Sequence, residues 1–195
     1  MTLAMTSSSA RFFLCWRSGI ALLAALLLGQ AGAAELRACL VVGVCDGDTI
    51  TARCGDPGAY EQVKVRLAGI DAPERHQPFG ARAKQALSDI AFNKPARLEC
   101  IKTDRYGRSV CNVWVAPASA PSGPQTLDAG LAMVTVGMAW WYRAYAREQT
   151  PQARGQYEFA EMEAKAKRAG LWADAEPTPQ WESRKAKREP AAESN

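Results

Sequence analysis

Three short segments hold the residues best suited to chemistry: "DGDT" (46–49), "RLAGIDAPE" (66–74) and "TDRYGR" (103–108). Asp48, Asp71 and Glu74 offer three carboxylates from two adjacent strand ends. His76 is the one histidine of the chain, and no cysteine pair has zinc spacing. An oxygen-only donor set of this kind suits a hard cation, Ca²⁺ or Mg²⁺. Arg66 and Arg108 add two guanidiniums, whose forks match phosphate oxygens. Carboxylates that hold a cation, beside arginines that hold an anion, are what phosphodiester hydrolysis requires. The metal polarises the phosphoryl group, the arginines take up charge in the transition state, and a carboxylate orients or activates water.

Taken singly, each segment has a plainer reading. An Asp-Gly pair is usually only a turn. "IDAPE" also fits a strand end with a helix-capping acid, and "DRYGR" fits a solvated hairpin tip. His76 reads as a surface-loop residue outside the chemistry.

The elements that must position these residues follow from patterning. Residues 40–44 and 50–53 read as strands around "DGD", a hairpin signal. In 61–70, Val63, Val65 and Leu67 alternate with Lys64 and Arg66, as in a half-buried strand. A polar loop, 71–80, feeds a helical segment, 81–92, with Ala83, Leu87 and Ile90 at helical spacing. Residues 96–100 and 109–115 are strand-like, and 116–125 form a Pro/Ser-rich surface loop. A helix is expected over 127–137, closed by Gly137, and a longer one over 152–170, capped by Gly170, with "LW" docking back on the core. Short strands followed mostly by helices predict an α+β fold, a small β-barrel with helices packed on it.

Residues 1–34 read as a secretory signal. Arg11 and Arg17 precede an apolar run at 19–29, and small residues follow at 31–34. That run is shorter than the roughly 20 residues of a membrane span, which disfavours an uncleaved anchor. About 160 residues then remain, enough for one domain, 35–175, and a mobile charged, Pro-rich tail, 176–195, anchored by Trp181. Loss of the leader lowers the formal charge from +4 to +2. Net charge therefore does not argue for nucleic acid, and any such case rests on local placement. Export, periplasmic or secreted, favours disulfides. A hairpin turn centred on Asp46-Gly47 places Cys39 opposite Cys54, and Cys100 and Cys111 lie symmetrically about "IKTDRYGR". Cys45 is then the odd thiol, expected to be a buried packing residue.

In this order and spacing, "DGDT", "IDAPE" and "DRYGR" resemble the staphylococcal nuclease (thermonuclease) family, over roughly 36–172 and including "GMAWWY" and "GLW". The resemblance implies a five-stranded OB-type barrel with about three helices. It implies cleavage of DNA and RNA with one Ca²⁺, leaving 3′-phosphates, by a monomer. By position, Asp48, Asp71 and the backbone carbonyl of Ala72 would be metal ligands, although the best-known member carries Thr where Ala72 stands. Glu74 would orient or deprotonate water, Arg66 would clamp phosphate, and Arg108 would stabilise the transition state. Asp46 would hold the turn without touching the metal. Arg105 and Tyr106 resemble residues that touch a terminal phosphate, and Tyr145 lies where the family stacks a base. "WWYRAY" holds four aromatics, so the base-stacking ring is open, and Trp140 and Trp141 read better as core against the last helix. The rival reading is an inactive OB-type module of the cell envelope that binds nucleic acid or protein. A complete set of Asp48, Asp71, Glu74, Arg66 and Arg108 favours the enzyme. A structural Ca²⁺-binding protein would have no use for the two arginines.

Overall fold

The computed structural model describes residues 35–179 and 181–182; the expected leader and most of the expected tail lie outside the described residues. The elements in chain order are β1 (Glu35–Val44), β2 (Thr49–Cys54), β3 (Glu61–Leu67), β4 (Ile70–Asp71), α1 (Gly80–Ala91), β5 (Pro95–Thr103), β6 (Ser109–Val115), β7 (Leu127–Asp128), α2 (Ala129–Thr135), β8 (Trp140–Trp141) and α3 (Pro151–Ala166). Short 3₁₀ turns follow at Arg143–Glu148 and Gly170–Ala173.

Antiparallel ladders run β3-β2-β1-β5-β6, and a parallel pairing of β3 with β6 closes them into a five-stranded barrel. Closure leaves these strands no open sheet edge. The inward face of β3 is the alternating set Val63, Val65 and Leu67, as its pattern predicts. These pack with Ile50, Leu98 and Val113 of the barrel and with Leu87 and Met133 from α1 and α2. Each such fully buried aliphatic chain contributes about 1.5–3 kcal/mol. Among the described residues, no helix is long and apolar enough to cross a membrane.

Three expectations need correction. The "DGD" connection is not a two-residue turn: Cys45 N–H donates to the Thr49 carbonyl, and a bulge between Val41 and Gly43 shifts the register by one. The bulge compensates, so Cys39 still pairs across from Cys54, and both expected disulfides, Cys39–Cys54 and Cys100–Cys111, are formed. The second helix starts later than predicted, because Leu127–Asp128 pair with β6 and the Asp128 carboxylate caps α2 by accepting from the Gly130 and Leu131 N–H groups. Gly137 does close that helix, with φ +69. The last helix ends at Ala166, and Arg168, with φ +50, takes the left-handed position just past its cap, with Ala169 N–H returning to the Ala164 carbonyl; Gly170 is left-handed too, with φ +55, but lies two residues further on. Leu171 is buried, and its N–H reaches the Gly137 carbonyl, so "LW" docks as expected.

Candidate active site at the closed end of the barrel

Barrel closure brings the three chemical segments together. Thr49 pairs with Arg66 across β2 and β3, and Arg66 pairs with Val110 across β3 and β6. Asp48 therefore precedes the residue opposite Arg66, and Arg108 lies two residues before Arg66's partner on the other side. Leu67 N–H donates to the Asp48 carbonyl at 2.8 Å, fixing the loop onto β3. Asp71 is set by the β4–β8 bridge, where it faces Trp140.

Gly47 explains why the two aspartates are separated by the smallest residue. A Cβ there would lie 2.7 Å from both the Ala72 and the Ala83 Cβ atoms. Only glycine lets the loop press against the start of the "APE" segment and against α1, which places Asp48 beside Ala72. Gly80 has a comparable role: a Cβ would stand 2.0 Å from the Glu74 carbonyl oxygen, so α1 can begin directly under that loop. Gln77 completes the loop, its side-chain oxygen accepting from Glu74 N–H while its own N–H donates to the Glu74 carbonyl, both at 2.8 Å.

Arg66 is the hub. Its Nη1 donates to Asp48 Oδ2 at 2.6 Å and its Nη2 to Asp71 Oδ1 at 2.7 Å, with a longer bond from Nη2 to the Ile70 carbonyl. Both carboxylates are buried. Burial works against the charged guanidinium, but the Asp48 and Asp71 charges outweigh it and hold the Arg66 pKa above its ordinary value. Asp48 Oδ1 accepts from Thr49 Oγ1 at 2.8 Å, and Arg108 Nη1 reaches the same hydroxyl at 3.3 Å. Thr49 thus links the acidic and basic partners of the site, a role the "DGDT" quartet contains but does not announce. Arg108 is held in turn by Asp104, whose Oδ2 accepts from Nε at 2.8 Å and whose Oδ1 accepts from the Tyr106 and Arg108 N–H groups. Burial is the largest single influence on the Asp104 pKa and raises it, but the bonds from Arg108 and Tyr106 and the Arg108 charge together outweigh it, and the net shift is downward.

Asp46 does not touch Arg66. Its Oδ1 accepts the Asp48 N–H at 3.1 Å, and burial, followed by the nearby Asp48 charge, raises its pKa to about 6. Glu74 is part-exposed and lines the same cleft as Asp48, with its carboxylate 3.4 Å from His76 Nε2. His76 is therefore exposed but adjoins Glu74. Among the described residues no three His, Cys, Asp or Glu side chains converge at metal-holding distance. The donor set nevertheless fits a hard cation. Asp48 and Asp71 are buried and bridged by a single cation, the Arg66 guanidinium, and Ala72, next to Asp71 in the chain, lines the same cleft as Asp48.

The site opens into two clefts that share Arg66, Tyr106 and Arg108 as walls. One, of about 500 Å³, is lined by Asp46, Asp48, Ala72, Glu74 and His76. The other, of about 520 Å³, is lined by Lys102, Arg105, Tyr142, Tyr145 and Trp181. Lys64 and Arg75 add to the first, so basic residues concentrate at the clefts although the net charge is small. Arg105 and Tyr106 sit together at the exposed β5–β6 tip, with Arg105 Nη2 donating to Tyr106 Oη at 2.8 Å. Tyr145 is exposed, with Lys102 Nζ 4.1 Å from its ring centroid. Trp140 and Trp141 are buried against α3, as packing predicts. Glu161, a buried acid that sequence reading passes over, fixes that region: it accepts from Trp141 N–H at 3.1 Å, Arg143 at 2.8 Å and Lys165 at 3.0 Å. Its place in a charged helix face gave no sign of burial. Cys45 is free but only half-buried, which corrects the expectation of a fully buried thiol; its Sγ lies 3.9 Å from Thr51 Oγ1.

Comparison with known proteins agrees with this geometry. A family model described as "Staphylococcal nuclease homologue" matches residues 64–174. A protein named "Protein ParB" from Escherichia coli is 41% identical over 165 residues, covering 85% of this chain and 88% of its own length. A "Micrococcal nuclease" from Shigella flexneri is 40% identical over 147 residues, 75% of this chain and 79% of its own. An "Uncharacterized endonuclease" from Haemophilus influenzae is 40% identical over 143 residues, 73% and 70% of the two chains. The chain belongs to the staphylococcal nuclease family.

Proposed function

We propose that the protein is an exported, monomeric Ca²⁺-dependent nuclease that hydrolyses phosphodiester bonds of DNA and RNA and leaves 3′-phosphates. The observation that carries the reading is the Arg66 fork, bonded to both Asp48 and Asp71 and open to a cleft that Arg108 also lines. Membership of a nuclease family supports the reaction class, and two disulfides support an oxidising compartment.

Asp48, Asp71 and the carbonyl of Ala72 would hold one Ca²⁺. When bound, the ion supplies Lewis-acid polarisation of a phosphoryl oxygen. Arg66 would grip a non-bridging oxygen of the same phosphate with the guanidinium N–H groups that its bonds to Asp48, Asp71 and Ile70 leave over. Glu74, at the cleft margin, orients a water molecule and takes its proton as the new oxygen–phosphorus bond forms. The bond to the 5′-oxygen breaks, that oxygen takes a proton from solvent water to leave as a 5′-hydroxyl, and Arg108 stabilises the charge that gathers on the phosphoryl and leaving oxygens. Asp104 and Thr49 keep the Arg108 guanidinium aimed at that position. Arg105 and Tyr106 contact a neighbouring phosphate from the hairpin tip. Asp46 preserves the turn.

The test is cleavage of end-labelled single-stranded DNA and RNA by the purified chain. Degradation in Ca²⁺ that stops in chelator, with products that a polymerase extends only after phosphatase treatment, is expected. Full activity in chelator would overturn the metal assignment, and extendable products would overturn the bond assignment.

A further inference from the structure

The second cleft has a wall that the catalytic residues do not explain. Trp181 lies beyond the last 3₁₀ turn, on a short turn in which Glu182 N–H returns to the Pro179 carbonyl. Its indole stacks on Tyr142, with centroids 5.2 Å apart and planes 21° from parallel, and meets Trp140 edge-on at 6.1 Å. Both Tyr142 and Trp181 line the cleft that shares Arg66, Tyr106 and Arg108 with the carboxylate site. Tyr145 is exposed, but its ring already carries the Lys102 ammonium at 4.1 Å and meets Tyr142 edge-on at 5.0 Å.

We propose, resting on the nuclease reading above, that Trp181 together with Tyr142 forms a base-stacking platform, so that the C-terminal segment contributes directly to substrate binding. Aromatic faces beside a phosphate-gripping basic wall are the combination that single-stranded nucleic acid binds without sequence readout. With Trp181 in place the cleft still holds about 520 Å³, within the range of small-ligand sites. Trp181 is therefore a wall of the cleft and not a plug in it. The platform is built from two segments far apart in sequence, one on the β8 side and one in the C-terminal stretch. Its ligand is a nucleobase of the strand being cut, next to the phosphate held by the arginines.

The test compares wild type, Trp181→Ala and Trp181→Phe in the full chain, on a short single-stranded oligothymidylate and on an abasic oligomer of equal length. For Trp181→Ala, KM on the oligothymidylate should rise about tenfold with kcat little changed. KM on the abasic oligomer should not move, and Trp181→Phe should restore most of the loss. Equal effects on both oligomers would assign Trp181 a purely structural role and overturn the proposal. A fall in KM on removal of the indole would make it an internal competitor and overturn it too. Absence of cleavage by wild type under Ca²⁺ would instead remove the nuclease reading on which the platform depends.

Discussion

The barrel wall of the active-site region and the wall facing it are held by different forces. On the barrel side, Asp48, Arg66 and Asp71 form a charge network centred on β3, which is laddered to β2 and β6, with Asp48 on the loop that leads into β2 and Asp71 on β4, while two disulfides cross-link the neighbouring pairs β1–β2 and β5–β6. On the other side, Tyr142, Tyr145 and Trp181 are held by ring contacts, and Arg105 and Tyr106 stand on an exposed hairpin tip. Chemistry needs groups fixed to within fractions of an ångström, which buried and cross-linked strands provide. Binding successive bases and phosphates tolerates looser walls, because every base has a stackable face.

That contrast can be broken at several points. Arg108→Ala strikes the rigid side hardest: kcat should fall about 10²- to 10³-fold, while Ca²⁺ affinity from calorimetry stays near wild type. An equal loss of Ca²⁺ binding would mean that Arg108 belongs to the metal site. Replacing both cysteines of either disulfide by serine should cost about 3 kcal/mol in urea denaturation, given sequence separations of 15 and 11. A negligible cost would show that the ladders alone hold the barrel wall. Gly47→Ala should destabilise by about 1–3 kcal/mol and weaken cleavage further than the melting point implies, since the clash falls on Ala72 and Ala83. Unchanged activity would mean that the loop accommodates the methyl group without moving Asp48.

The smallest effect concerns Asp104. Its folded-state pKa lies below the ordinary value of 3.8, so its contribution is complete above that value and is lost as pH falls through the depressed folded one. Melting curves of wild type and Asp104→Asn should therefore differ by a constant amount near neutral pH and converge in acid below about pH 4. A gap that widens in acid would contradict the assigned sign.

Much of the rigid side was legible in sequence because its signals are local. "DGDT", "IDAPE" and "DRYGR" each combine turn chemistry with charged groups inside a few residues, and the alternation of Val63, Val65 and Leu67 puts Arg66 on the outward face of its strand. The disulfide pairing followed from hairpin symmetry and survived an incorrect turn, since the bulge near Val42 offset it. The looser wall was poorly legible because its contacts join distant segments. Nothing near Trp181 indicates that it meets Tyr142, and nothing in the charged pattern of α3 marks Glu161 as buried. The Arg66 bridge was also invisible: spacing gave two acids and a base, but only barrel closure decides that one guanidinium serves both acids.

The most direct test of the central claim is a Ca²⁺ titration by calorimetry, paired with single-turnover cleavage of single-stranded DNA, for wild type and Asp71→Asn. The account predicts one Ca²⁺ per wild-type chain, and loss of both Ca²⁺ binding and cleavage in the variant. Cleavage by Asp71→Asn at the wild-type rate, or by wild type in chelator, would contradict it.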